Sequence, residues 1–225
     1  MIGATQPEES AAEAIRPHDL IRLDAPWRLV DDSPRPHWLH AALVHAPWVV
    51  VRRLAARDDL IPVGIRGATR DQRQASWLPA SCIACCITPE ELAARRDWRG
   101  HPRTDSVPAL RALEPAADIL DSAGLAWGPA GSVGFELATG VPTATPTSDL
   151  DLVIRLHLPS CDHGARSVLT SLAGLPAKLD VLIETEAGAL SLAEVLGSSP
   201  SLALRTTDGP RLIERSEIER RRATP

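Results

Sequence analysis

Lysine is almost missing from this sequence. Lys178 is the only one, so nearly all the positive charge carried by the 24 basic residues is arginine. Any anion the protein meets is therefore met mainly by guanidinium forks, which pair with two oxygens at once. Positive charge is also in deficit, 24 basic against 29 acidic residues, and this balance argues against a general nucleic-acid binder. No apolar run is long enough to cross a membrane. The opening MIGATQPEESAAEAIRP lacks the basic and apolar regions of a signal peptide. A cytoplasmic protein that engages neither membrane nor nucleic acid is the expectation. Aromatic residues are scarce at 3% of the chain, a usage that genome composition alone can produce. Cysteine is scarce as well, and 225 residues bury a core without disulfides, as one large domain or two small ones. Cys82, Cys85 and Cys86 in SCIACCIT raise the question of zinc, but no second ligand pair accompanies them. Cys161 and His163 stand apart in a loop-like segment. The cysteines read as small apolar residues of a buried strand.

What the chain does contain is a succession of short strand and helix patterns, an α+β organisation. Residues 1–16 read as a leader. Residues 17–98 read as a small α+β unit with strands near His18–Trp27, at Trp48–Val51, at Leu60–Ile65 and in SCIACCI. A helix follows Trp38, and another opens at Thr88, with Thr88 as N-cap and Pro89 at its first position. Asp97–Ala109 is rich in Gly, Pro and charge, which marks residues 99–108 as a linker. Residues 109–225 read as a second unit, a mixed β-sheet with helices. It has a helix over Ala109–Ala123, a glycine-rich turn in GLAWGPAGS and strands at Asp149–Leu156 and Lys178–Glu184. A helix near Ala165–Ala173 lies between those strands, SLAEVLG forms a short helix, and a hairpin turns at Asp208–Gly209. The ending ERSEIERRRATP reads as a charged, solvated tail.

The chemistry concentrates in TSDLDLVIR. Alternation puts Asp149 and Asp151 on one face of a strand, about 6.5 Å apart, while Leu150, Leu152 and Ile154 share the other. Two ionised carboxylates side by side near a core repel each other and are costly to desolvate. A divalent cation between them removes both problems, and carboxylate oxygens suit Mg²⁺, with Mn²⁺ as a substitute. Upstream, WGPAGSVGF places Gly131 and Ser132 at a tight turn running into a helix, where backbone N–H groups and a hydroxyl can cradle a phosphate. Downstream, AKLDVLIET carries Asp180 on a second apolar strand, which completes a trio of acids if the two strands are neighbours. Lys178 points to the same face as Asp180, either toward a phosphate or simply into solvent.

This order of a Gly-Ser turn, an Asp-x-Asp strand and a third strand acid resembles the nucleotidyltransferase superfamily. The interval between Ser132 and Asp149 is longer than is common there, with GVPTATPT reading as an enlarged loop. A closer resemblance lies in LAWGPAGSVGFELATGVPTATPTSDLDLVIR, PVGIRGATRDQRQA, HDLIRL and LRTTDGPRLI. These are similar to the phosphoribosyl-dephospho-CoA transferases, the holo-acyl-carrier-protein synthases of malonate decarboxylase. The resemblance implies a nucleotidyltransferase-like sheet in the second unit. It further implies transfer of a phosphoribosyl-dephospho-CoA group from 2′-(5″-triphosphoribosyl)-3′-dephospho-CoA to a serine of the carrier subunit, with release of diphosphate. On that footing Asp149, Asp151 and Asp180 would be the catalytic metal ligands, and Gly131 and Ser132 would touch phosphate. Arg66, Arg70 and Arg73 would bind the polyphosphate or an acidic carrier surface; Arg70 and Arg73 share a face of any helix there, and a solvated charged face is the plainer alternative. An ordinary nucleotidyltransferase, or a non-catalytic binding module of the same fold, are the other two functions the residues allow.

Overall fold

The computed structural model describes residues 15–156, 163–172, 174–175 and 177–217. Most of the expected leader, Cys161 and the end of the charged tail lie outside the described residues. The chain divides into two compact units between Cys86 and Ile87. Among the described residues no helix is long and apolar enough to cross a membrane.

The first unit is a five-stranded sheet built from β1 (Leu20–Leu23), β2 (Trp48–Val51), β3 (Leu60–Arg66), β4 (Arg73–Pro79) and β5 (Ile83–Ile87), in the order β4-β3-β2-β1-β5. Helix α1 (Leu39–His45) contributes Leu39 and Leu43 to the core, beside Ile21, Val49, Val63 and Leu78. Strand β4 was not expected from the sequence. It is an edge strand with a charged and polar start, so its residues lack the apolar alternation that marks an inner strand. The cysteines also differ from expectation. Cys82 is buried in a 3₁₀ turn before β5, whereas Cys85 is exposed and Cys86 half-buried within it. They do not form one buried apolar row.

The second unit opens with α2 (Pro89–Arg95). Its first turn carries the expected cap: the Glu91 N–H donates to Thr88 Oγ1 at 3.1 Å and the Thr88 N–H to Glu91 Oε2 at 2.8 Å. Then come α3 (Pro108–Arg111) and α4 (Leu113–Ser122), where one helix was expected. Leu113, Ala116, Ala117 and Leu120 recur on one buried face of α4. Strand β6 (Ala126–Pro129) leads into α5 (Gly131–Thr139) and β7 (Leu150–Arg155). After α6 (His163–Leu172) follow β8 (Leu179–Thr185), β9 (Gly188–Ser191), α7 (Leu192–Leu196), β10 (Ser201–Thr206) and β11 (Gly209–Glu214). The six strands lie in the order β11-β10-β9-β8-β7-β6. The pairing of β7 with β8 is parallel and the other assigned pairings are antiparallel. Helix α6 lies in the crossover that a parallel pair requires. Leu150, Leu152, Ile154, Val181 and Ile183 send their side chains into the core shared with α4.

Two segments depart from the sequence reading here. AWGP was expected as a turn because of its Gly-Pro, but it forms the edge strand β6, where proline is tolerated. Gly128 is needed in it because a β-carbon there would lie 1.8 Å from the Pro89 carbonyl oxygen. The segment read as a linker is packed inside the second unit. Trp98 and Val107 are core residues, and the Trp98 ring lies 6.1 Å from that of Trp127. Tight turns satisfy its backbone, which is why its composition imitates a linker.

Glu114 on α4 ties this segment down. It accepts from Trp98 Nε1 at 2.8 Å and from Arg99 Nε at 3.0 Å. The Arg99 and Trp98 hydrogen bonds lower its pKa from the usual 4.5 to about 2. A depressed carboxyl contributes stability above its ordinary pKa and loses it as pH falls toward the folded value. Glu114→Gln is therefore expected to destabilise the protein at neutral pH. The wild-type advantage should shrink between about pH 5 and about pH 2 in urea-unfolding curves. A gap that stayed constant over that window would refute the assignment.

Candidate active site

The acids gather at the start of the parallel pair. Asp149 immediately precedes β7, and the register sets Asp151 of β7 opposite Asp180 of β8. The Leu150 N–H donates to the Lys178 carbonyl at 2.8 Å, so the pairing reaches back to the residue before β8. Leu150, Leu152 and Ile154 are each no more than 1% exposed. Burial of such side chains contributes about 1.5–3 kcal/mol apiece, which seats the strand firmly. Asp149 and Asp151 are half-buried and Asp180 is exposed.

Carboxylates this close need positive charge nearby. Lys178 supplies part of it, with Nζ 2.8 Å from Asp149 Oδ2. Lys178 therefore meets an acid of the trio, in the position where the sequence left a phosphate contact or plain solvent open. The N-terminus of α5 supplies more. Its N-cap, Ala130, has no side chain to satisfy the first-turn N–H groups, which carry the positive end of the helix dipole. The Ala130 N–H donates to the Asp151 carbonyl at 2.9 Å. Gly131 has φ +57°, and a β-carbon there would lie 1.7 Å from Asp151 Oδ2. The turn thus needs glycine twice, for its left-handed backbone and to leave room for the Asp151 carboxylate. Ser132 is buried, and its carbonyl accepts the Thr143 hydroxyl at 2.9 Å.

The donor set is all carboxylate oxygen, the chemistry of a hard divalent cation such as Mg²⁺ or Mn²⁺. Asp151 and Asp180 sit on adjacent strands, with Asp149 just before the first, beside a cradle that a β-carbon would fill, so the acids fit such an ion in type. Among the described residues no three His, Cys, Asp or Glu side chains stand close enough to hold a metal as they are. Asp149 turns to Lys178 instead.

The arginines belong to the first unit. Arg66 and Arg73 are paired residues at the turn end of the β3–β4 hairpin, and exposed Arg70 lies in the connecting turn. The helix on which Arg70 and Arg73 would share a face is absent. The turn is instead tied by Gln72, whose Oε1 accepts from the Ala68 N–H at 2.9 Å. Hairpin pairing still sets Arg66 directly opposite Arg73.

The sequence reading missed a third group, Arg103 and Glu136. Glu136 is a charged residue in the otherwise apolar helix α5 and is 1% exposed. A lone acid in that run was the available signal. Arg103 was hidden in the supposed linker.

Gly131→Ala tests the closest contact in the site. The left-handed backbone alone should cost about 1–2 kcal/mol. The overlap should in addition displace Asp151, as read from denaturant unfolding and a crystal structure of the variant. An unchanged midpoint with Asp151 in place would refute the geometry.

Comparison with known proteins gives the site a family. Residues 16–89 match the phosphoribosyl-dephospho-CoA transferase MdcG N-terminal domain, and residues 93–216 match its C-terminal domain. A phosphoribosyl-dephospho-CoA transferase of Pseudomonas aeruginosa is 37% identical over 88% of this chain and 91% of its own length. The Azotobacter vinelandii protein of that name is 38% identical over 88% and 92%, and the Klebsiella pneumoniae one 38% over 81% and 96%. No solved structure matches. Two domain matches in sequence order and this identity over most of both lengths lead to one conclusion: the chain belongs to the phosphoribosyl-dephospho-CoA transferase family.

Proposed function

We propose that the protein transfers the phosphoribosyl-dephospho-CoA group of 2′-(5″-triphosphoribosyl)-3′-dephospho-CoA to a serine of the acyl-carrier subunit of malonate decarboxylase, in the cytoplasm. Family membership supports the transferase class. The observation that carries the chemistry is the register of Asp151 against Asp180, with Asp149 beside them and Gly131 packed on Asp151.

In this reading the serine oxygen bonds to the phosphorus nearest the ribose. The bond from that phosphorus to the bridging oxygen breaks, and its electron pair leaves with diphosphate. The serine proton passes to a base, for which exposed Asp180 is the candidate. Asp149, Asp151 and Asp180 would hold Mg²⁺ or Mn²⁺, which neutralises triphosphate charge when bound. Asp149 would exchange its ammonium partner for the cation, freeing Lys178 to meet a phosphate oxygen. The first-turn N–H groups of α5 and the Ser132 hydroxyl donate to the remaining oxygens. Positioning and charge neutralisation supply most of the rate, as is general for phosphoryl transfer. The second unit is thus the catalytic one. The first serves substrate or carrier binding, with Arg66, Arg70 and Arg73 as its anion contacts.

Incubation with the triphosphoribosyl precursor, Mg²⁺ and apo carrier should add one prosthetic group to a serine, read by intact mass. Chelation should abolish the gain and added Mg²⁺ restore it. Asp151→Asn should slow transfer by about 100-fold or more while the circular dichroism spectrum is kept. No mass gain with an authenticated precursor would sink the specific function, and a fully active Asp151→Asn protein would sink the metal assignment.

A further inference from the structure

The enlarged loop between the Gly-Ser turn and the Asp-x-Asp strand is fastened by an ion pair between buried Glu136 and half-buried Arg103. Glu136 Oε2 accepts the N–H groups of Thr143 at 2.8 Å and Ala144 at 2.9 Å. Both Glu136 oxygens accept from Arg103 Nη1 at 2.7 Å, and Arg103 Nη2 donates to the Ala144 carbonyl at 2.7 Å. Glu136 and Arg103 thus grip the loop by both backbone polar groups of one residue, Ala144. The loop in turn grips the site. Thr143 Oγ1 donates to the Ser132 carbonyl in the first turn of α5. Beyond buried Ala144, the Thr145 N–H donates to Ser148 Oγ at 2.9 Å and the Ser148 N–H returns to the Thr145 carbonyl at 3.0 Å. Asp149 follows at once.

A carboxylate buried to this degree is expensive to desolvate unless every lone pair is used. An apolar residue would fill the same place in α5 at lower cost. Apolar packing, however, would leave the Thr143 and Ala144 N–H groups unsatisfied and the loop free to slide. The polar solution sets the position of a peptide rather than merely covering it.

We propose that Glu136, held by Arg103, is a positioning residue for phosphoryl transfer. Through Thr143 and the Thr145–Ser148 turn it sets the first turn of α5 and the approach to Asp149 relative to each other, so that phosphate donors and acids face one phosphate group. The proposal rests on the functional reading above. It differs from a purely structural role in its consequence: loosening the clamp changes turnover and phosphate binding in a folded protein.

Glu136→Gln removes the charge and can unfold the chain, so Thr143→Val is the decisive variant. It keeps the shape of the side chain and deletes only the hydroxyl that reaches Ser132. Transfer rate and the affinity for inorganic tripolyphosphate with Mg²⁺, by calorimetry, are measured for the full chain at a temperature where the variant retains the wild-type circular dichroism spectrum. The expected result is a fall in kcat and a weakening of tripolyphosphate binding, each of about tenfold, with KM for the carrier unchanged. Arg103→Lys, which keeps the charge but loses the fork, should show an intermediate loss. Wild-type kcat and tripolyphosphate affinity in folded Thr143→Val would overturn the proposal. If the wild-type protein transfers nothing, the functional reading fails by itself, and the tripolyphosphate comparison still decides the clamp.

Discussion

The parallel pairing of β7 with β8 is the constraint on which the second unit depends. It demands a crossover, which contains α6, and it sets Asp151 and Asp180 at the same level of the sheet. Aliphatic side chains on the opposite face hold both strands against α4. The exposed ends of the strands can therefore carry acids without losing their seat.

Negative charge gathered in this way has to be balanced, and the fold does it three times with different groups. Lys178 pairs with Asp149, and the uncapped start of α5 faces Asp151. Arg103 neutralises Glu136, which follows the first residue of α5 by less than a turn and a half. The exposed lysine pair is the weak member of the set, since solvent screens it, and an ion or a phosphate can displace it. The arginine pair is the strong one, because removing Arg103 leaves the buried Glu136 carboxylate without water or a cation bonded to it. An exchangeable contact at the acids and a fixed one beneath the loop suit the proposed transfer, in which a charged ligand enters while the site keeps its shape.

Much of this was legible in the residues. Period-two apolar runs gave β7 and β8 within a residue or two, and Thr88-Pro89 with Glu91 marked the start of α2. Glycine beside serine before an Asp-x-Asp strand pointed to the turn at Gly131. The misreadings share a cause. Charge, Gly and Pro were taken as marks of irregular chain, yet β4 and β6 are edge strands that tolerate such residues, and the segment through Trp98 and Val107 is packed. Arginines spaced for a helix face instead sit at a hairpin end, since spacings of three and four residues are also met across a turn.

Residue types and local periodicity were enough for the family, the α+β class and a candidate set of acids. Tertiary structure alone decided that Asp151 faces Asp180, that Lys178 reaches Asp149 and that Gly131 makes room for a carboxylate. It alone joined Arg103 to Glu136 across 33 positions of chain. Such contacts depend on strand register and on the order of strands in the sheet, which no local pattern encodes.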